Sequence, residues 1–153
     1  MRARPVLKRR ATSVAAFVLS TAAIAMAAMQ ITSTTVAIPT DEKPVLLAGL
    51  EYPGAGWTIE FTSLGVEVQS EEGVDPAKIV WTLSADSSRP MVQKVIIELH
   101  VEDASGRKLK SIKKFVVVKS NAEKQEFPIK MKIKKADWER AQSVKIKTTF
   151  TVL

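Results

Sequence analysis

Six stretches of this chain alternate apolar and polar residues one by one, and that period decides what it can fold into. Trp57, Ile59 and Phe61 alternate with Thr58, Glu60 and Thr62, and Leu64, Val66 and Val68 continue around Glu67. Ile79, Trp81 and Leu83 are interleaved with Val80, Thr82 and Ser84. Val95, Ile97, Leu99 and Val101 fall on one side, and Ile96, Glu98, His100 and Glu102 on the other. Ile129, Met131 and Ile133 alternate with Lys130, Lys132 and Lys134. Val144, Ile146, Thr148, Phe150 and Val152 alternate with Lys145, Lys147, Thr149 and Thr151. Successive side chains leave a strand on opposite faces, so a period of two with one apolar side predicts a half-buried strand. The expectation is an all-β fold.

The punctuation between these stretches agrees. Tyr52-Pro53-Gly54-Ala55-Gly56, the segment from Glu71 to Pro76, Ser87-Ser88-Arg89-Pro90 and Ser120-Asn121-Ala122 carry turn chemistry. Strands over 94–102 and 107–119 read as a hairpin closed by Asp103-Ala104-Ser105-Gly106, where Gly106 supplies a positive φ. The continuous apolar run Phe115 to Val118 predicts a central or bulged strand. Pro128, lacking an amide hydrogen, points to an edge or a strand start. Lys135 to Ser143 reads as the one helical turn, with Asp137 as its N-cap. Seven or eight short strands in one domain suggest an immunoglobulin-like or fibronectin-III-like antiparallel β-sandwich. The chain has no cysteine, so the disulfide of antibody domains is absent and the core alone must hold the fold.

The N-terminal region follows different rules. Arg2, Arg4, Lys8, Arg9 and Arg10 precede an uncharged run from Ala11 to Ile31. A basic head before an apolar run marks export, with the head retained on the cytoplasmic side. The run is long enough for a bilayer-spanning export helix but is alanine-rich and broken by Thr12, Ser13, Ser20, Thr21 and Gln30, which makes a mediocre permanent anchor. Thr35-Val36-Ala37 and Ala25-Met26-Ala27 place small residues at the two positions a signal peptidase reads. The division expected is a signal peptide or signal anchor over 1–37, a linker over 38–44 and a sandwich domain over 45–153. A lipid anchor is excluded because that route modifies a cysteine. Arg9-Arg10 lacks the apolar residues that follow a twin-arginine signal, having Thr12 and Ser13 instead.

The formal charge of +7 owes most to the leader. Residues 38–93 contain 3 basic and 9 acidic residues, while residues 94–153 contain 15 basic and 7 acidic. Arg107, Lys108, Lys110, Lys113 and Lys114 form one basic cluster, and Lys130, Lys132, Lys134 and Lys135 a second. Together these nine are a candidate patch for an anionic partner such as a polysaccharide or a lipid surface. The plainer reading is a solvated sheet face whose edge lysines discourage aggregation. Nucleic acid is a poor partner, since no aromatics are interleaved with the lysines as a stacking platform requires.

Catalytic patterns are weak. His100 is the one histidine and falls between Glu98 and Glu102 without further metal-ligating or proton-shuttling partners. Ser111 and Lys114 match Ser-x-x-Lys spacing but sit in a strand-like segment, where that motif does not operate. Six glycines are scattered over turns and form no phosphate loop. Trp57 and Trp81 read as core, while Trp138 reads as a plug over an open end of the sandwich, with partner binding alongside Tyr52 as its alternative. The sequence therefore predicts an exported, non-enzymatic module without cofactor or metal. It is periplasmic or extracellular if the leader is cleaved and membrane-anchored otherwise. It binds another envelope or extracellular protein through a strand edge or loops. The alternative is a cationic adhesin-like module binding anionic polysaccharide or lipid headgroups.

Overall fold

Alternation becomes geometry in nine strands and one short helix, seen in a computed structural model that describes residues 29–39 and 43–151. The strands are β1 (Met29–Ala37), β2 (Val45–Leu46), β3 (Glu51–Pro53), β4 (Thr58–Gln69), β5 (Ala77–Ser87), β6 (Gln93–Asp103), β7 (Lys108–Val118), β8 (Gln125–Ile133) and β9 (Ala141–Thr151). The helix α1 (Lys135–Arg140) lies between β8 and β9. One sheet has the order β1-β9-β6-β7; the other has β2-β4-β5-β8, with β3 also pairing β4. Pairing is antiparallel within both sheets. Residues Ile31–Phe150 form one compact unit, and Met29, Gln30 and Thr151 fall outside it.

The apolar half of each alternating stretch lines the space between the sheets. Ile79, Trp81 and Leu83 of β5 face Ile97 and Leu99 of β6 and Ile146 and Phe150 of β9 across a core in which all seven are inaccessible to solvent. Phe150 ties the layers together: its ring centroid lies 6.1 Å from Phe61 of β4 and 5.0 Å from Tyr52 of β3. This is the layered arrangement of a β-sandwich, and each such fully buried side chain contributes about 1.5–3 kcal/mol.

Strand β4 joins two of the predicted stretches. Its register against β5 shifts between Phe61 and Ser63, so Thr62 is an extra residue and the buried positions move from 59 and 61 to 64 and 66. The opposite side of β4 is broken at the same level. Strands β2 and β3 lie end to end along it, and the gap between them is spanned by Leu47 N donating to Thr62 O and Phe61 N donating to Leu50 O, each at 2.9 Å.

Several expectations change in detail. Among the described residues the strand count is nine, because β1 is a strand and the first edge of the second sheet is split. Strand β1 covers residues assigned above to the leader, and the expected export helix otherwise falls on residues outside the described ones. Thr32 Oγ1 meets Thr148 Oγ1 at 2.7 Å, and Ile38 N donates to Gln142 O at 3.2 Å; the two contacts run in opposite chain directions, so β1 is antiparallel to β9. The Phe115 to Val118 run belongs to an edge strand and not a central one, and that strand is bulged as the alternative expectation had it, with Leu109 the extra residue where the register against β6 shifts between Val101 and Glu102. Val116 and Val118 are buried, while Phe115 and Val117 are exposed on the outer face. Asp137 does not cap α1: the N-cap position is Lys134, without a side-chain cap bond, and Asp137 instead pairs with Arg140 Nη2 at 2.5 Å. Trp57 is half-buried rather than core. It stands edge-on to Tyr52 with centroids 5.2 Å apart and lies 4.7 Å beneath the guanidinium of Arg89.

The β6–β7 hairpin forms as its loop chemistry dictates. Gly106 adopts φ 85°, a region open to glycine without steric cost. Asp103 Oδ1 accepts from Ser105 N at 2.9 Å, Ser105 Oγ at 2.7 Å and Arg107 N at 3.0 Å. The Ser105 hydroxyl, with help from the Arg107 amide, holds the Asp103 carboxyl below the usual carboxylate range.

Candidate interaction surface

The nine predicted basic residues do not share one face. Strands β7 and β8, helix α1 and the flanking residues Arg107 and Lys134 divide them, and each strand sends successive side chains to opposite sides. Lys113 lies on the outer face of the first sheet, in register with Glu98 of β6. Lys114, its neighbour, points the other way across the open side of the sandwich and donates to Pro128 O of β8 at 2.6 Å. Lys110 pairs with Val101, whose side chain is buried, and so also faces the inner side at the β7 edge. Arg107 Nε lies 3.4 Å from Asp103 at the hairpin tip, with Lys108 following it at the start of β7. Lys130 and Lys132 project from the outer face of the second sheet. Lys134 precedes α1, and Lys135 is held by its Nζ donating to Glu71 O at 2.8 Å and its N to Asp75 Oδ1 at 3.1 Å.

The two clusters are nonetheless neighbours, because β7 and β8 are the free edges of their sheets on the same side of the molecule. Gln125 at the start of β8 bridges them. Its Oε1 accepts from Lys119 N at 2.9 Å, and its Nε2 donates to Val117 O at 3.0 Å. Pro128 sits mid-strand on the edge β8, where a residue without an N–H leaves no ladder bond unmade. The opposite side of the second sheet is acidic, with exposed Glu51 on β3 and exposed Glu60 and Glu67 on β4. The charge imbalance between the two halves of the sequence thus becomes a gradient across one sheet.

Lys78 belongs to neither basic cluster, being one of three scattered basic residues in the acidic half. Register brings it directly opposite Lys132, with Lys130 two positions along the same strand. Like charges directly opposite repel, and Lys78, Lys130, Lys132, Gln69 and Val80 border a depression of about 470 Å³. A larger open depression of about 670 Å³ is lined by Glu60, Asp86, Ser88, Glu123 and Lys124. Its floor is already engaged, since Asp86 Oδ1 accepts from Lys124 N at 2.7 Å.

A second surface is apolar. Phe115 is 74% exposed and Val117 46% on β7, and Met91 and Val92 just before β6 are 62% and 58% exposed. Val118 pairs with Gln93, which places the Met91-Val92 segment beside the end of β7. Phe115 is in register with the half-buried Ile96. The sequence signal for this surface was the unbroken apolar run itself.

His100 Nε2 lies 3.6 Å from Glu98 Oε1 on the outer face of the first sheet, between Ser111 and Lys145 in register. Among the described residues no group of three or more His, Cys, Asp and Glu side chains is placed to hold a metal ion. Ser111 and Lys114 project from opposite faces of β7, so they form no dyad. Among the described residues no helix is long and apolar enough to cross a membrane.

No protein-family model matches the chain. No curated protein matches it either. Among solved structures it is similar to a DUF1425 family member from Shewanella sp. pv-4, with 15% identity and a TM-score of 0.36, over 74% of this chain and 94% of that one.

Proposed function

We propose that this chain is an exported, non-enzymatic binding module of the cell envelope or extracellular space, built as an immunoglobulin-like or fibronectin-III-like sandwich. Its partner is an extended segment of another envelope protein laid against the β7 edge. The observation that carries this reading is the exposure of Phe115 and Val117 on a free edge strand, next to Met91 and Val92. Apolar side chains grouped at an edge cost solubility unless something covers them. Strand addition needs only backbone groups and shallow apolar contacts, which suits a sequence without catalytic motifs, and here it displaces the Gln125 side chain from Val117 O and Lys119 N. Lys113 and Lys119 flank the apolar residues, so the segment that fits has apolar residues with acidic neighbours.

A photocrosslinking side chain placed at Val117 in the full chain tests this in cells. A discrete adduct with one envelope protein is expected there, lost when Phe115→Glu is added, and absent with the same probe at Glu60. Equal labelling at Val117 and Glu60 would sink the reading.

The Lys78–Lys132 pair favours a second reading, in which the outer face of the second sheet binds anionic polysaccharide or lipid headgroups. It predicts retention on heparin or on anionic vesicles that weakens steeply as salt rises and falls further with Lys78→Gln. Retention indifferent to salt would remove it.

A further inference from the structure

The export reading leaves the end of the leader open, and the position of β1 bears on it directly. Thr35-Val36-Ala37 forms the last three residues of that strand. Cutting after Ala37 would delete all of β1 and turn β9 into an unprotected edge. The loss would be felt inside the fold. Thr148 is inaccessible to solvent and its hydroxyl is engaged by Thr32 Oγ1. Unpaired strand edges are also the sites at which β-proteins aggregate.

Ala25-Met26-Ala27 is the last small-x-small triplet before β1 begins at Met29. A signal peptidase accepts such a triplet because its subsites for the residue before the cut and for the one two positions earlier admit only small side chains. Because β1 takes Met29 to Ile31, it shortens the uncharged run to residues 11–28, about 18 positions, near the lower limit for a bilayer span and poor in strongly apolar residues.

We infer that, given export, the processing site is the Ala27–Ala28 peptide bond. Water is added across that bond, leaving a carboxylate on Ala27 of the released leader and an ammonium on Ala28 of the mature chain. The mature domain keeps β1 whole, and its sheet order is the one described above.

The test is expression of the full chain in a bacterial host, fractionation, and intact mass with N-terminal sequencing. An exported species beginning at Ala28 is expected. Ala27→Leu should abolish that species, whereas Ala37→Leu, at an exposed position of β1, should leave the new N-terminus unchanged. An exported species beginning at Ile38 or at any other residue overturns the site, as does a full-length chain in the membrane fraction, while both leave export intact. A full-length chain confined to the cytoplasm overturns the export reading and the site together.

Discussion

The ring of Trp138 stands edge-on to that of Trp81, with centroids 6.0 Å apart and planes at 74°. Trp81 is fully buried in β5, whereas Trp138 on α1 is half-buried, so the short helix closes one end of the core with a single large side chain. Trp138→Ala should lower stability by about 1–3 kcal/mol, less than the ~3–5 of a fully buried aromatic. Urea melts would read the change, and an unchanged midpoint would mean that α1 closes nothing.

Trp81 Nε1 is buried and has no hydrogen-bond partner among the described residues. An unmade bond of this kind costs about 1–3 kcal/mol. Trp81→Phe removes that donor as well as some volume, so its net cost should fall below the usual penalty for truncating a core aromatic. The comparison is with Phe61→Leu in the same melt series; a larger loss for Trp81→Phe would show that the indole nitrogen is satisfied in solution.

The Thr32–Thr148 contact should be asymmetric. Thr148 is buried and Thr32 only partly so. Thr32→Val strands the Thr148 hydroxyl at a cost of about 1–3 kcal/mol, while Thr148→Val leaves Thr32 able to turn to water at a smaller cost. The double variant should recover part of the first loss, and strict additivity of the two single changes would contradict the pairing.

Gly54 is needed for close approach. A Cβ there would lie 2.1 Å from Trp57 Cε2, while Gly54 N donates to Trp57 O at 2.7 Å. Gly54→Ala must push the indole away from Tyr52 and Arg89, and a loss of about 1–3 kcal/mol is expected. A crystal structure of the variant with the Trp57 ring unmoved would refute this.

Acid should loosen the β6–β7 turn. Asp103 is held below its ordinary carboxyl pKa by the Ser105 hydroxyl first, then the Arg107 amide. A depressed pKa contributes stability that is fully present above the unfolded value, ~3.9 for Asp, and is lost as pH falls through the folded value. The stability gap between wild type and Asp103→Asn should therefore be constant at neutral pH and close at acid pH. A gap independent of pH would rule out the charge as its source.

Much of the sandwich was legible residue by residue. The alternations at 79–83, 95–101, 129–133 and 144–150 became β5, β6, β8 and β9 with the predicted faces inward, because burial on one face leaves a strong period-two record. The change from odd to even apolar positions between Phe61 and Leu64 was the trace of the Thr62 bulge, readable only once β5 supplied a register. Strand β1 was hidden because none of its residues is fully buried and Thr, Ser and Ala mimic the small-residue end of a leader. Lys78 was hidden for a different reason: its neighbour Lys132 is close only across strands. Trp57 was misplaced because alternation marks a face but not how near the end of the sandwich a residue lies.

The pairing of β1 with β9 also has a consequence in time. Thr32 and Thr148 are separated by 116 residues, so β1 stays without its partner until more than a hundred further residues have been synthesised. Contacts this distant in sequence are slow to form and leave the incomplete sheet exposed meanwhile. The β6–β7 hairpin, closed locally by Asp103, has no such delay and needs neither β9 nor β1 to find its register.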